Sequence, residues 1–236
     1  MTPSLLGDRE ARARARALRR SAPGPLRDYL ATPVPPKDVP LRELGLLALD
    51  IETTGLDPRS DAVLSVGLVA VDGDEVRLGS ARRLVVAGAA GARGVGQSAV
   101  VHGLTDDDLA AGVPIDEVVA VVLDALQGRV LLAHHVRIET GFLGAACRRL
   151  WGAAMPCATV DTMELERRAV SRGWGSEPEA GSLRLGRARE RRGLPSYRAH
   201  ECLTDALACA ELYLAQRAEL EETRPDTTLT LRHVMA

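Results

Sequence analysis

The sequence predicts an α/β fold of three layers, in which helices flank a central mixed β-sheet. Three apolar runs predict strands, at residues 44–50, 62–71 and 76–86. The turn sequence Asp72-Gly73-Asp74 joins the last two strands as a hairpin. Farther along the chain, helical and strand patterns alternate, which adds strands to the sheet and helices to its faces.

The domain organisation follows from length and composition. At 236 residues with 46% hydrophobic content, the chain can bury one substantial core. We expect an N-terminal extension over residues 1–43, one α/β domain over 44–220 and a short C-terminal tail over 221–236. The patterns predict a basic helical segment 1–30, a proline-rich connector 33–40, a glycine-rich loop 88–96, helices 115–126, 139–151, 183–192 and 200–220, strand segments 129–133 and 159–163, and an exposed loop 171–182.

Net charge, cysteine spacing and the lengths of apolar runs limit the binding partners and the cellular compartment that the sequence predicts. The net charge is only −2, so the overall charge does not indicate nucleic-acid binding. The four cysteines have no CxxC spacing, and no Cys/His cluster indicates zinc. Cys202 and Cys209 lie two turns apart on one predicted helix and are predicted to be core residues, which suggests a reducing compartment. No apolar run is long enough to cross a membrane, and no signal peptide is apparent. We therefore expect a cytoplasmic protein without a membrane partner.

Two arginine-rich segments, 9–20 and 184–192, each have more than one interpretation. Such runs are usually solvated faces. The first is better interpreted as a docking or packing helix. The second leads into the last predicted helix, and arginine suits phosphate geometry, so contact with a phosphate backbone is an alternative for it.

Two carboxylates follow the most apolar strand. Residues 44–49 are typical of a buried central strand, and Asp50 and Glu52 come directly after them, before Gly55. Because strand side chains alternate between faces, the two acids share one face. Unpaired acids at the end of a buried strand lower stability unless a cation compensates. A turn cap or an ion pair with an arginine is the alternative for an Asp-x-Glu alone.

Further acids and a histidine lie at two later helix starts. Glu139 begins a helical pattern after strand 129–133, and His200 stands five residues before Asp205 at the start of another helix. Mg²⁺ and Mn²⁺ prefer oxygen ligands, whereas imidazole and thiolate favour zinc. The four acids and the histidine thus lie in three separated segments, and acids as ligands would suit magnesium or manganese rather than zinc. Taken alone, His200 would be a helix N-terminal residue held by a hydrogen bond.

With these motifs in this order, the chain resembles the DEDDh exonuclease superfamily, which includes the epsilon subunit of bacterial DNA polymerase III and RNase T. The resemblance covers residues 44–216. It implies a ribonuclease H-like fold and two divalent ions that stabilise the attacking and leaving oxygens of a phosphodiester. It also implies roles for matching residues: His200 as the general base, and Asp50, Glu52, Glu139 and Asp205 as the residues that hold the ions.

The resemblance implies substrate contacts as well. Thr53, Thr54 and Gly55 match the turn that holds the terminal nucleotide in relatives. His102, within a further family element at residues 101–105, and Gln97 match the region that meets the sugar of that nucleotide. Loop surface is the alternative for both of these residues.

The second motif departs from the family pattern. Glu139 stands where the family usually has aspartate, and His135 stands where it commonly has asparagine. Because glutamate reaches about one bond farther, we expect a metal site of altered geometry, and weakened activity is the alternative. His134 and His135 are interpreted as packing or phosphate-proximal residues. Tyr197 lies too far from the third motif to be the base of the tyrosine branch, and is interpreted as a packing or substrate-facing residue.

The sequence therefore predicts a 3′→5′ exonuclease that uses two Mg²⁺ or Mn²⁺ ions to release nucleoside monophosphates from the 3′ end of single-stranded DNA. One alternative is a small-RNA exonuclease similar to RNase T or oligoribonuclease. Another is a nucleic-acid-binding module in which Glu139 has weakened catalysis. The expected partners are single-stranded 3′ ends, a DNA polymerase catalytic subunit and, through the N-terminal helix, a second copy of the chain.

Overall fold

The protein is built around a five-stranded mixed sheet with strand order β3-β2-β1-β4-β5. The computed structural model describes residues 5–88, 105–174, 178–198 and 200–235. Strands β1 to β3 are antiparallel, and β4 and β5 extend the sheet from β1 in parallel. The strands are β1 (Gly45–Thr53), β2 (Val63–Asp72), β3 (Glu75–Val85), β4 (Val130–Ala133) and β5 (Thr159–Asp161).

Helices cover both faces of the sheet, which confirms the predicted three-layer fold. The first core lies between the sheet and four helices, α1 (Leu5–Arg20), α2 (Pro25–Ala31), α4 (Ile115–Ala125) and α5 (Arg137–Trp151). The second core lies on the other face, under α6 (Thr162–Trp174), α8 (Cys202–Glu222) and α9 (Leu231–Val234). Two short helices complete the described part of the chain, α3 (Asp106–Ala110) and α7 (Leu185–Glu190). None of the helices in these ranges is both long and apolar enough to cross a bilayer.

The alternation of side chains along β1 decides which face carries the acids. Leu47 and Leu49 belong to the first core, whereas Leu46 and Ala48 belong to the second. Asp50 and Glu52 continue the second series and therefore face α8. The sequence ended this strand at residue 50, but its ladder with β2 continues through both acids, as far as residue 53.

Helix α6 is the largest difference from the sequence prediction. The sequence predicted no helix between residues 163 and 171 and an exposed loop over 171–182. The structure instead has a helix over Thr162–Trp174. Its buried face includes the acid Glu166, 1% exposed. Glu166 pairs with Arg191 at 2.6 Å and with Arg192 at 2.5 Å. Because these partners are about 25 residues away, a local apolar pattern does not reveal the helix.

The chain before β1 packs against the domain. The predicted single helical segment 1–30 is two helices, separated at residues 21–24. Arg14, 7% exposed, donates hydrogen bonds to the carbonyl oxygens of Tyr29 at 2.5 Å and Pro156 at 3.2 Å. Its guanidinium also lies 4.4 Å from the centroid of the Tyr29 ring. The arginine-rich segment 9–20 thus behaves as a packing helix at this position.

The end of the chain also contributes to the core. Leu229, Leu231 and Val234 are buried in the second core. The backbone N–H of Leu41 donates to the carbonyl oxygen of Leu229 at 2.9 Å, which joins the connector before β1 to the segment before α9.

Candidate active site

Three carboxylates converge where β1 meets the start of α8. One ligand oxygen from each of Asp50, Glu52 and Asp205 lies within 4.8 Å of the other two. Asp50 and Glu52 occupy alternate positions of β1, and Asp205 lies in the first turn of α8. The fold thus brings two of the three separate sequence motifs into one cluster.

A glycine in β2 lets α8 approach the sheet at this point. Gly67 pairs with Asp50 in the ladder between β1 and β2. A Cβ atom added at Gly67 would lie 2.2 Å from the carbonyl carbon of Cys202 and 2.3 Å from the backbone nitrogen of Leu203. Any side chain there would move the start of α8, and with it Asp205, away from Asp50.

The residues before α8 fix its first turn and place an imidazole at the cluster. Glu201 caps the helix by accepting a hydrogen bond from the backbone N–H of Thr204 at 2.8 Å. His200 precedes it in the left-handed region, with φ of 69°. The backbone N–H of His200 donates to Oδ2 of Asp205 at 2.8 Å. The exposed side chain of His200 lines the same cleft as Asp50 and Asp205.

Burial and mutual repulsion raise the pKa values of the cluster. For Asp50, burial is the main cause and the charge of Glu139 comes next, so that its pKa lies well above the usual range. Burial, with the charges of Asp205 and Glu201, raises the pKa of Glu52 to about 7. Burial also raises the pKa of Asp205, against the opposing effect of the hydrogen bond from the backbone of His200. Negative charge on these carboxylates therefore lowers stability unless a nearby cation compensates it.

Glu139 lies in the first turn of α5 and is 3% exposed. Its Oε2 has no hydrogen-bond partner within the described ranges. The pKa of Glu139 is raised to about 8, mainly by burial, with a hydrogen bond from its own backbone N–H opposing the rise and the charge of Asp161 adding to it. Glu139 lies near enough to raise the pKa of Asp50, yet it is not one of the three residues of the compact cluster.

Asp161 is a buried acid at the end of β5 that the sequence analysis did not identify. Its carboxylate accepts hydrogen bonds from the backbone N–H groups of His135 at 2.9 Å and Val136 at 3.1 Å, just before α5. It also accepts from Met163 at 2.9 Å and Glu164 at 3.4 Å, in the first turn of α6. One side chain therefore orders the start of two helices, including the helix that carries Glu139. The available sequence signal for this role was an acid in the position of an N-cap residue, directly before the first residue of the helix.

The two adjacent histidines have different surroundings. The Nε2 of His134 lies 2.9 Å from the carbonyl oxygen of Leu183, and its Nδ1 lies 2.9 Å from the hydroxyl of Thr162. A carbonyl only accepts, so Nε2 carries the proton, and burial lowers the pKa of this histidine. His135 is exposed, with φ of 76°, and lines the cleft. His134 is a packing residue, as predicted, and His135 faces the solvent of the candidate site.

In the turn after β1, the threonine side chains form hydrogen bonds within the loop itself. The hydroxyl of Thr53 donates to the carbonyl oxygen of Gly55 at 2.6 Å, and the hydroxyl of Thr54 accepts from the backbone N–H of Ala62 at 2.9 Å. A Cβ atom at Gly55 would meet the carboxylate of Asp61 at 2.5 Å, so a larger residue there would displace that side chain. The other two predicted substrate contacts, Gln97 and His102, lie outside the described residues, as does most of the loop 88–96.

A cleft of about 1180 Å³ extends from the carboxylates along the segment 178–198. The arginines of the second arginine-rich segment divide into two groups beside it. Arg189 is 3% exposed and Arg192 is nearly buried, and both pair with acids of neighbouring helices. Arg184 and Arg187 are exposed and line the cleft. Arg189 and Arg192 are therefore internal rather than part of a solvated face, and the side chains of Arg184 and Arg187 remain available to a ligand.

The donor set fits a hard divalent cation. The cluster consists of carboxylate oxygens, which Mg²⁺ and Mn²⁺ prefer, and the buried Oε2 of Glu139 lacks a hydrogen bond nearby. A buried carboxylate oxygen without a donor is destabilising unless a cation or an ordered water satisfies it. Asp50, Glu52 and Asp205 thus form a cluster that could hold a divalent metal.

The sequence of the chain also matches a family of known exonucleases. The family model described as Exonuclease, which carries the name RNase T, matches residues 47–213. The DNA polymerase III PolC-type protein of Thermotoga maritima is 26% identical over 168 residues, which are 71% of this chain and 11% of that protein. The corresponding protein of Staphylococcus aureus is 22% identical over 194 residues, 79% of this chain and 12% of that one. The chain thus spans about a tenth of the length of these relatives.

Comparison with solved structures agrees on the fold. A crystal structure of cell-death related nuclease 4 has a TM-score of 0.64 at 16% identity, over 75% of this chain and 65% of that chain. Exonuclease I of Escherichia coli in complex with a dT13 oligonucleotide has a TM-score of 0.62 at 18% identity, over 77% of this chain and 43% of that chain. Together with the family match, these structures confirm the resemblance to the DEDD exonuclease superfamily.

Proposed function

Because the chain belongs to the exonuclease family, we propose that it is a 3′→5′ exonuclease that hydrolyses the terminal phosphodiester of single-stranded DNA and releases nucleoside 5′-monophosphates. The observation that carries this proposal is the convergence of Asp50, Glu52 and Asp205 within 4.8 Å beside the exposed imidazole of His200. The likeness to exonuclease I, whose solved complex contains a dT13 oligonucleotide, supports single-stranded DNA as the substrate.

The reaction requires a proton acceptor for the attacking water. We assign this role to His200, because an imidazole exchanges protons near neutral pH and this one is exposed to the cleft. The water oxygen bonds to phosphorus, the bond from phosphorus to the 3′ oxygen breaks, and the 3′ oxygen leaves on the shortened strand, where it gains a proton. The hydrogen bond from the His200 backbone to Asp205 holds the base close to the carboxylates.

We assign Asp50, Glu52, Asp205 and Glu139 to hold two Mg²⁺ or Mn²⁺ ions. When bound, such ions stabilise the negative charge that develops on the attacking and leaving oxygens. The protein contributes by fixing the four carboxylates in a partly buried site. Glu139 enters from α5, whereas Asp50 and Glu52 lie on β1 and Asp205 lies on α8. Asp161 accepts a hydrogen bond from the backbone N–H of Val136, directly before the helix that carries Glu139.

The polarity and metal requirement are tested with one oligonucleotide labelled in separate preparations at its 3′ and 5′ ends. The wild type, Asp50→Ala and Glu139→Asp are compared with Mg²⁺, with Mn²⁺ and with EDTA. We expect stepwise shortening from the 3′ end that needs the metal, that Asp50→Ala abolishes and that Glu139→Asp retains. The matched RNA strand in the same assay measures the preference for deoxyribose.

Three results would contradict the proposal. Shortening from the 5′ end would reverse the polarity, and faster cleavage of RNA would favour the exoribonuclease alternative. Absence of cleavage by the wild type, with activity gained by Glu139→Asp, would mean a nucleic-acid-binding module in which the longer acid has suppressed catalysis.

We also propose a DNA polymerase catalytic subunit as a partner. The relatives from Thermotoga and Staphylococcus are named as DNA polymerases, and the chain matches about a tenth of each. Mixing the chain with the replicative polymerase subunit of its own organism and measuring mass by light scattering tests this. A joint peak supports the partnership, and two separate peaks contradict it. A doubled mass for the chain alone would instead support a homodimer.

A further inference from the structure

Tyr197 is an exposed aromatic side chain in the wall of the candidate active-site cleft. It is 43% exposed and lines the cleft together with Asp50, His200 and Asp205. Aromatic residues make up only 3% of the chain. The other tyrosines, Tyr29 and Tyr213, are buried in the cores. A ring that the fold leaves in the cleft is therefore a candidate for contact with a ligand.

The structure holds this ring in place on one face and at its tip. The guanidinium of Arg189 lies 4.5 Å from the ring centroid, and the phenolic hydroxyl donates to Oε1 of Glu211 at 2.9 Å. Arg189 is itself fixed, because it donates to the carbonyl oxygens of Ala208 at 2.7 Å and Pro195 at 3.0 Å. One face of the ring is thus covered and its hydroxyl is used, so that the other face is the surface it offers to the cleft.

Positive charge lies along the same wall. Arg184 and Arg187 are exposed and line the cleft, on the turn before α7 and in α7 itself. Arg187 shares its charge with Glu190 in an ion pair at 2.8 Å in which both side chains are about two-thirds exposed. An exposed pair of this kind is weak, and a phosphate can compete for the arginine. The cleft therefore combines an aromatic face with cations, the combination that single-stranded nucleic acids require.

We propose that Tyr197 stacks against a base of the substrate strand upstream of the scissile phosphate, while Arg184 contacts the adjacent backbone. This inference rests on the proposed function and adds the reason for a single-stranded substrate. A base must be unpaired and turned out to lie on the ring, and every base offers a π-face, so the contact selects single strands without selecting sequence. Arg189 on the opposite face of the ring keeps the platform rigid before the strand arrives.

A packing role for Tyr197 makes a different prediction. If the ring only covers Arg189, its removal lowers stability and reduces cleavage of all substrates alike. If the ring stacks on a base, its removal matters only where that base is present. Removing the base from the substrate and the ring from the protein, singly and together, separates the two roles.

The experiment measures kcat and KM on oligothymidylates that carry one abasic residue at the second, third or fourth position from the 3′ end, with an intact strand as reference. The proteins are the wild type, Tyr197→Ala and Tyr197→Phe, and Leu78→Ala serves as a control at an exposed position of β3 outside this cleft. Tyr197→Phe keeps the ring and removes only the bond to Glu211.

For the wild type we expect KM to rise roughly tenfold when the abasic residue occupies one particular position, since a stacked base contributes about that much to affinity. Tyr197→Ala should show the raised KM on the intact strand and no further rise at that position. Tyr197→Phe and Leu78→Ala should keep the positional effect of the wild type.

Two results would overturn the inference while leaving the exonuclease intact. One is a wild type that cleaves all the strands with equal KM. The other is a Tyr197→Ala variant that keeps the full abasic effect. A wild type that cleaves no strand would instead contradict the proposed function, and this inference would fall with it.

Discussion

Glu139 and Asp161 are two buried acids near the start of α5. They differ in the hydrogen bonds that the protein donates to their carboxylates. Asp161 accepts hydrogen bonds from four backbone N–H groups, those of residues 135, 136, 163 and 164. Glu139 has a buried oxygen without a partner in the described structure and a pKa raised to about 8. The fold uses the first acid to order its backbone, and we propose that the second meets a cation.

This contrast explains why burial alone does not identify a functional acid. Both side chains are less than 10% exposed. What separates them is whether the protein supplies donors to the carboxylate. Burial and like charges also raise the pKa values of Asp50 and Glu52.

Replacing Asp161 should have the largest effect on stability. Asp161→Ala leaves several backbone N–H groups of two helix starts without an acceptor, and we expect a loss of about 3–5 kcal/mol in the free energy of unfolding. Asp161→Asn keeps one oxygen and should lose less, about 1–2 kcal/mol. Urea unfolding in EDTA measures both. Equal stability of Asp161→Ala and the wild type would mean that these hydrogen bonds do not order the helices.

Gly67→Ala tests the approach of α8 to the carboxylates. The added methyl would lie 2.2 Å from the backbone of Cys202, so the helix must shift. We expect a loss of about 1–3 kcal/mol and a marked fall in nuclease activity. Gly79→Ala is the matched control in the same sheet, because nothing lies within 4 Å of its Cβ. A Gly67→Ala protein as stable and as active as the Gly79→Ala protein would contradict the packing account.

Glu139→Gln should raise the stability of the metal-free protein in a pH-dependent way. The folded pKa of Glu139 is about 8, above its ordinary value of 4.5. The folded state therefore binds the proton more tightly, and the wild type loses stability as pH rises from about 4.5 through 8. At pH 8 in EDTA we expect Glu139→Gln to be more stable than the wild type by roughly 1–3 kcal/mol.

The control for that prediction is pH 4, where both side chains are neutral and the difference should vanish. The variant should also lose nuclease activity, so that the same substitution raises the stability of the metal-free protein and lowers its activity. A stability difference that stays constant from pH 4 to pH 8 would show that Glu139 does not carry the raised pKa.

The smallest effect is expected at the cleft wall. Arg184→Ala removes one exposed cation and should weaken binding to single-stranded DNA by about 1 kcal/mol or less. The slope of log affinity against log salt should fall by nearly one unit. Arg19→Ala, an exposed arginine of α1 on the other side of the sheet, is the control. Equal salt slopes for the two variants would show that Arg184 does not contact a DNA phosphate.

Much of the fold was readable in the sequence because it rests on local patterns. The apolar β1 run, the hairpin at residues 72–74 and the alternating elements after residue 115 predict the mixed sheet and its two helical layers. The cluster of Asp50, Glu52 and Asp205 was also foreseeable, since alternation in a strand places the first two on one face and the family resemblance implies that Asp205 joins them.

The parts that the sequence did not reveal depend on distant partners. Helix α6 is stabilised through the buried Glu166, whose arginine partners lie beyond α7. Asp161 acquires its role only when β5 pairs with β4 and brings residues 135 and 136 within reach. Gly67 matters because of a helix start more than a hundred residues later. None of these contacts leaves a periodic pattern.

We propose that Glu139 holds a cation whereas Asp161 orders the backbone, and Mn²⁺ binding at pH 8 distinguishes the two roles. Electron paramagnetic resonance would titrate Mn²⁺ into the wild type, Glu139→Gln and Asp161→Asn, with unfolding in EDTA measured on the same preparations. We expect Glu139→Gln to be the more stable protein yet to bind Mn²⁺ at least tenfold more weakly, whereas Asp161→Asn should be less stable in EDTA. Wild-type Mn²⁺ affinity in Glu139→Gln would contradict these roles.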